Sequence, residues 1–174
     1  MKIKTGVGAT TISLITLIGI WSISALNALP GLAVSPILGQ LTTIFPKSSE
    51  LDIQMLTSLP SLMIIPFVLI AGKLTEKVNN MVLLRVGLGI FLLSGVLYFI
   101  SDKMWQLIVV SAILGIGSGL IVPLSTGLIS HFFTGNERLK QFGYSSAITN
   151  LTLVIATVVT GYLAEVNWRW PFVV

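Results

Sequence analysis

"GKLTEKVNN", Gly72 to Asn80, gathers three charges, Lys73, Glu76 and Lys77, in one short link. Long apolar runs flank it. Ile53 to Gly72 carries no charge, and Met81 to Ser101 carries only Arg85, near one end. The whole chain of 174 residues is 54% hydrophobic and only 9% charged, with a mean hydropathy of +0.97. Soluble domains carry about 25% charged residues, so this composition cannot cover a water-facing surface and reads as an integral membrane protein. The link is then a turn between two membrane spans, and the fold follows from counting spans outward from it.

A bilayer-crossing helix needs about 20 apolar residues. Five stretches qualify: about 5–32, 53–72, 81–101, 104–130 and 141–164, and a sixth starts at about 170. Thr5 to Pro46 is free of charge and long enough for two spans, but Pro30, Gly31, Pro36, Gly39 and Gln40 punctuate its second part. The basic residues give a second test. With five spans and a cytoplasmic N-terminus, Lys2, Lys4, Lys73, Lys77, Arg85, Arg138 and Lys140 fall inside, against Lys47, Lys103 and Arg169 outside. An extra span would even out the two sides. The positive-inside rule therefore favours an all-α bundle of five complete spans with the N-terminus in the cytoplasm. The opening MKIK and "SALNA" have the outline of a signal peptide, but the apolar run is too long and Leu26 is a poor residue three before a cut after Ala28. Ser49-Glu50-Leu51-Asp52 predicts a capping box at the start of the second span.

The same composition narrows function. There is no cysteine and a single histidine, His131, so thiol chemistry and multi-histidine metal sites are excluded, and no cofactor is expected. The net charge of +4 is accounted for by topology and calls for no nucleic-acid partner. The spans hold no Asp, Glu or Lys, hence no carboxylate pair or Ser-His set for an enzyme and no buried acid for a self-contained ion pathway. Their costliest polar residues are Asn27 in the first span and Asn150, beside Thr149, in the fifth. Each must face either a neighbouring helix or a wet cavity. "LGIGSG", Leu114 to Gly119, lacks the strand before it and the Lys-Ser/Thr after it that a phosphate loop needs. Gly115 and Gly119, with Gly117 between, form instead a flat face for close helix approach. Pro30, Pro60, Pro66 and Pro123 can kink their helices. Trp105, Trp168 and Trp170 sit where interfacial anchors belong, Trp21 is mid-span, and His131 reads as a cytoplasmic-surface residue.

Together these features resemble the N-terminal half of a major facilitator superfamily transporter, over nearly the whole chain. The most specific piece is the opening stretch. The family pattern Gly-x-Leu-Ala-Asp-Arg-x-Gly-Arg-Arg-x-x-Leu reads here "GKLTEKVNNMVLL": Gly72, Leu74 and Leu84 match, Glu76 stands for the acid and Lys77 for the first base. Asn79 and Asn80 stand where Gly and Arg would be. "GNERLKQFG" resembles the family's passage between spans four and five at Glu137, Arg138 and Gly143. "VNWRWPF" resembles the start of its sixth span at Trp168, Arg169 and Phe172, and "LNALPGL" the Ala-Leu-Pro of drug exporters at Ala28, Leu29 and Pro30. Two departures stand out. Ser111 and Leu114 occupy the positions of the Arg and Gln that drug/proton antiporters carry in span four, and of the antiporter glycines in span five only Gly161 remains.

The resemblance implies a partial six-helix domain over residues 1–174, transport of a small solute by alternating access, and bacterial drug-efflux members as the nearest kin. It implies a gate at the cytoplasmic rim built on Gly72, Leu74, Glu76, Lys77 and Arg138, with Glu76 pairing Arg138 in one state and Lys77 meeting the other half or lipid headgroups. Its partners would be the bilayer, a C-terminal half and an unidentified small-molecule substrate. Twelve spans need roughly 400 residues, so a chain of this length is expected to be a truncated product, inactive alone. The alternative is a small membrane scaffold or regulatory subunit acting through helix pairing.

Overall fold

The computed structural model describes residues 2–4, 11–26, 29, 41, 44–46 and 48–167. A two-stranded antiparallel hairpin, β1 (Lys2–Lys4) and β2 (Thr11–Ser13), is followed by α1 (Leu14–Leu26), α2 (Glu50–Leu74), α3 (Asn80–Ile100), α4 (Met104–Phe132) and α5 (Gly135–Val166). The last four are long and apolar enough to cross a membrane.

The first span departs from expectation. Within the expected span of about 5–32, Thr11–Ser13 pairs with Lys2–Lys4 as a hairpin, with Ile3 opposite Ile12, and helix is described over Leu14–Leu26; the rest of that span, save residue 29, lies outside the described residues. Four full-length spans are therefore described rather than five, and the fold carries a small β element. The physical reason lies in Thr11-Ile12-Ser13: Thr and Ile are β-branched and favour extended backbone, which outweighs the apolar composition. The expected start of a sixth span near 170 lies outside the described residues.

Helix boundaries follow local chemistry. The Ser49 Oγ accepts from the Asp52 N–H at 3.2 Å, and the Asp52 carboxylate accepts from the Ser49 N–H at 2.9 Å, the reciprocal cap read from the sequence. Gln106 starts α4 in a similar way, its Oε1 accepting from the N–H groups of Asp102 and Lys103. Helix α5 begins at Gly135 and contains the span expected over about 141–164. Only Phe133 and Thr134 separate it from α4, and Gly135 takes a φ of +57°, a conformation that side chains with a Cβ disfavour. Glu137, Arg138 and Lys140 are thus helical: Glu137 lies in the first turn, where the helix dipole favours an acid, and pairs with Lys140 one turn on.

Contacts fix the relative directions. Moving along α4 from Gly115 to Gly119, the neighbours on α2 advance from Pro60 and Met63 to Ile64 and Phe67, so these helices run parallel. Against α3 the order reverses, since Gly117 meets Phe91 while Ile121 meets Gly87. Helices α1 and α5 run parallel, Trp21 meeting Gln141 and Ser24 meeting Thr149. The chain therefore passes up and down, with one rim formed by the end of α2, both ends of the α4–α5 link and the start of α3. Three apolar clusters hold it: Leu17, Ile20, Ile129 and Phe133 near that rim, Ala71, Leu83, Leu120 and Leu124 in α2–α4, and Ile53, Leu56, Leu107 and Val110 towards the opposite rim.

Candidate functional site

Helix α4 is the axis of the bundle. Lipid tails are as apolar as leucine, so helices in a bilayer gain by close packing more than by leaving water. A Cβ on Gly115 would lie 2.5 Å from the Pro60 carbonyl oxygen and 2.8 Å from Met63 Cβ. One on Gly119 would lie 2.7 Å from Phe67 Cβ, and one on Gly117 would lie 2.9 Å from the Phe91 nitrogen. The glycines thus serve two faces: Gly115 and Gly119 admit α2, and Gly117, opposite Gly87, admits α3. Pro60 and Pro66 lie within α2 and Pro123 within α4, each inside a continuous helix.

The link from Gly72 to Asn80 satisfies its own backbone. The Thr75 hydroxyl donates to the Gly72 carbonyl at 2.6 Å, and the Lys77 and Val78 N–H groups donate to the Leu74 carbonyl. Asn79 caps α3, its Oδ1 accepting from the Met81 N–H at 2.9 Å, a bond the Gly of the family pattern could not make. Gly72, Leu74, Glu76 and Lys77 are exposed, and nothing lies within 4 Å of a Cβ built on Gly72. Across the rim, Glu137 pairs with Lys140 at 2.8 Å and the Arg138 guanidinium lies over the Phe142 ring, 5.6 Å from its centroid. Among the described residues Arg138 lies over Phe142 and no ion pair joins it to Glu76 in this arrangement. The rims differ in charge. Among the described residues Lys73, Lys77, Arg138 and Lys140 face Glu76 and Glu137 at one end, while Glu50, Asp52, Asp102 and Glu165 face Lys103 at the other.

Of the polar residues singled out within the spans, Asn27 lies outside the described residues. Thr149 donates to the Ser24 carbonyl at 3.2 Å and to the Ser145 carbonyl at 2.9 Å, tying α5 to α1. Asn150 is exposed, its amide donating to the Ser146 carbonyl on its own helix, amid Leu151, Val154 and Val158. Two buried polar contacts escaped the sequence reading. The Tyr98 hydroxyl and Ser111 Oγ share a hydrogen bond between α3 and α4, so a neutral pair fills the place of the antiporter arginine. Trp21 Nε1 donates to Gln141 Oε1 at 3.2 Å, with Tyr144 edge-on to the Trp21 ring at 5.9 Å. The available signal was the spacing of Gln141, Ser145 and Thr149, polar residues four apart and hence on one helical face. Gln141 is 4% exposed and Ser145 8%. The Gln141 Nε2 and the Ser145 hydroxyl have no partner among the described residues, and a buried donor left unpaired costs about 1–3 kcal/mol.

Long apolar helices joined by short links, with charges near the rims, define a multi-pass membrane protein. The chain belongs to the Major Facilitator Superfamily, whose family model matches residues 11–174. It is similar to the multidrug transporter protein MdtP of Bacillus subtilis (strain 168), 34% identical over 104 residues, which are 59% of this chain and 19% of that protein. It is also similar to the quinolone resistance protein NorA of Staphylococcus aureus (strain Mu50 / ATCC 700699), 30% identical over 115 residues, 66% of this chain and 29% of that protein. The aligned segment thus spans less than a third of the length of either relative.

Proposed function

We propose that this bundle is the N-terminal half of a secondary transporter that exports a small, drug-like organic solute by alternating access, working with a second helical bundle. The observation that carries the reading is the contrast between its two sides. Helices α2, α3 and α4 are clasped through glycines, whereas α5 carries Asn150 on an exposed face at membrane depth, with Ser146 and Thr157 beside apolar Leu153, Val154 and Val158. An amide there is costly against lipid and is at home beside protein or a wet pathway. Thr149 and Asn27 belong to the same pathway in this reading. The names of MdtP and NorA support export of drug-like compounds.

The more basic rim is the cytoplasmic one, which also sets the N-terminus inside. The Gly72–Asn80 link is the gate strap: Gly72 leaves room for a neighbouring helix, Leu74 packs beneath it, Glu76 takes Arg138 when the cytoplasmic side closes, and Lys77 meets the second bundle. The present arrangement, with Arg138 over Phe142, is the released state. An exposed ion pair is worth about 0–1 kcal/mol, a size suited to two states a few kcal/mol apart. The test is ethidium movement in proteoliposomes. Vesicles holding both bundles are expected to move ethidium and vesicles holding only this chain are not. Absence of movement with both bundles present contradicts transport, and movement by this chain alone contradicts its role as one half.

A further inference from the structure

Buried hydroxyls in this bundle follow a common pattern. Ser24, Ser94, Ser111, Ser118 and Thr160 each donate to a carbonyl three or four residues earlier on their own helix. Ser145 does not: although 8% exposed, its hydroxyl is unpartnered among the described residues. One turn earlier, the Trp21 indole N–H holds the Gln141 Oε1, which fixes the other end of that amide as the Nε2 donor, and this too is unpartnered at 4% exposure. Native interiors rarely leave such groups unmatched. Two of them four residues apart lie on one face of α5, the face turned to α1. Beside them Trp21 and Tyr144 meet edge to face, and Tyr144 is 54% exposed, so the aromatic corner is open on one side.

We infer that the seam between α1 and α5 is a substrate subsite, in which Gln141 Nε2 and Ser145 Oγ donate to a carbonyl or carboxylate oxygen of a planar aromatic compound whose ring rests against Trp21 and Tyr144. Two donors converging on one oxygen orient the ring, and edge and face contacts with the aromatic pair tolerate different ring systems. This places the acceptor group of the ligand towards α1, at the end of the seam nearer the basic rim. The inference rests on the transport reading, since a solute must reach this seam.

Binding to the chain in lipid nanodiscs tests it with two probes. Norfloxacin offers ring-ketone and carboxylate oxygens; ethidium is a planar aromatic cation without an acceptor oxygen. Ser145→Ala and Gln141→Leu are each expected to weaken norfloxacin binding by about 5–10-fold, the loss of one net hydrogen bond, and to change ethidium binding by less than about twofold. Gln141→Leu also removes the acceptor for Trp21, so ethidium, which rests on the same rings without needing the donor, serves as the control for that side effect. Equal losses for both probes, unchanged norfloxacin binding in both variants, or no norfloxacin binding to the parent chain would overturn the subsite. Binding needs no translocation, so norfloxacin binding with these losses, together with no solute movement in vesicles holding both bundles, would sink the transport reading and leave the subsite standing.

Discussion

Single residues divide here into those that hold helices together and those that leave room. Gly115 belongs to the first kind, because any side chain there meets the backbone of Pro60. Gly72 belongs to the second, with open space around it. Overpacking a tight contact costs about 1–3 kcal/mol. Gly115→Ala is therefore expected to lower the unfolding midpoint in mixed micelles by that order, whereas Gly72→Ala is expected to leave it unchanged or slightly higher, since alanine is the better helix former by about 0.5–1 kcal/mol. Equal midpoints for the two variants would mean that α2 can shift away from α4 at little cost. The glycine run stood out in the sequence, but its division between two neighbours did not. Composition shows that a face is flat and says nothing of which helix lies on it. Gln141 was passed over for a related reason. At the edge of a span an amide looks like an interfacial residue, and only the packing of α1 makes it a buried one.

Elements show where local chemistry was readable. The Ser49–Asp52 box is written within four residues and appears as a cap, because both partners belong to the same turn. Helix α5 contains the expected span over about 141–164 and extends back to Gly135, because Glu137 to Lys140 stabilises a first helical turn ahead of the apolar run. At the start of the first span an apolar run does not distinguish strand from helix, and Thr11-Ile12-Ser13 takes the extended form before Leu14–Leu26 turns helical within the expected span. In the Gly72–Asn80 link, Asn79 departs from the family pattern and gains a capping role. Asn79→Ala is expected to cost about 0.5–2 kcal/mol in unfolding measurements and Asn79→Gly only a few tenths. The reverse order would show that the side-chain cap contributes nothing. Glu76 has no such structural duty in this state, so Glu76→Gln is expected to leave the unfolding midpoint unchanged. In vesicles holding both bundles it should slow ethidium movement, by at most about fivefold for an exposed pair. Unchanged ethidium movement would reduce the charges of the link to topology alone.

At the scale of the molecule, the four long helices and the family match make this a multi-pass membrane protein of the Major Facilitator Superfamily. The proposal adds motion to that frame: α5 borders a pathway that opens to each side in turn. In that proposal Asn150 marks the pathway, being polar, exposed and at membrane depth, with Ser146 one turn before it. The chain has no cysteine, so a single introduced thiol reports without background. The decisive measurement is the reaction of Asn150→Cys with a membrane-impermeant maleimide in oriented vesicles holding both bundles. The thiol is expected to react with reagent added to either side, with ethidium raising the rate from one side and lowering it from the other. A thiol that reacts from neither side would place Asn150 against lipid or a fixed helix and contradict alternating access along this face.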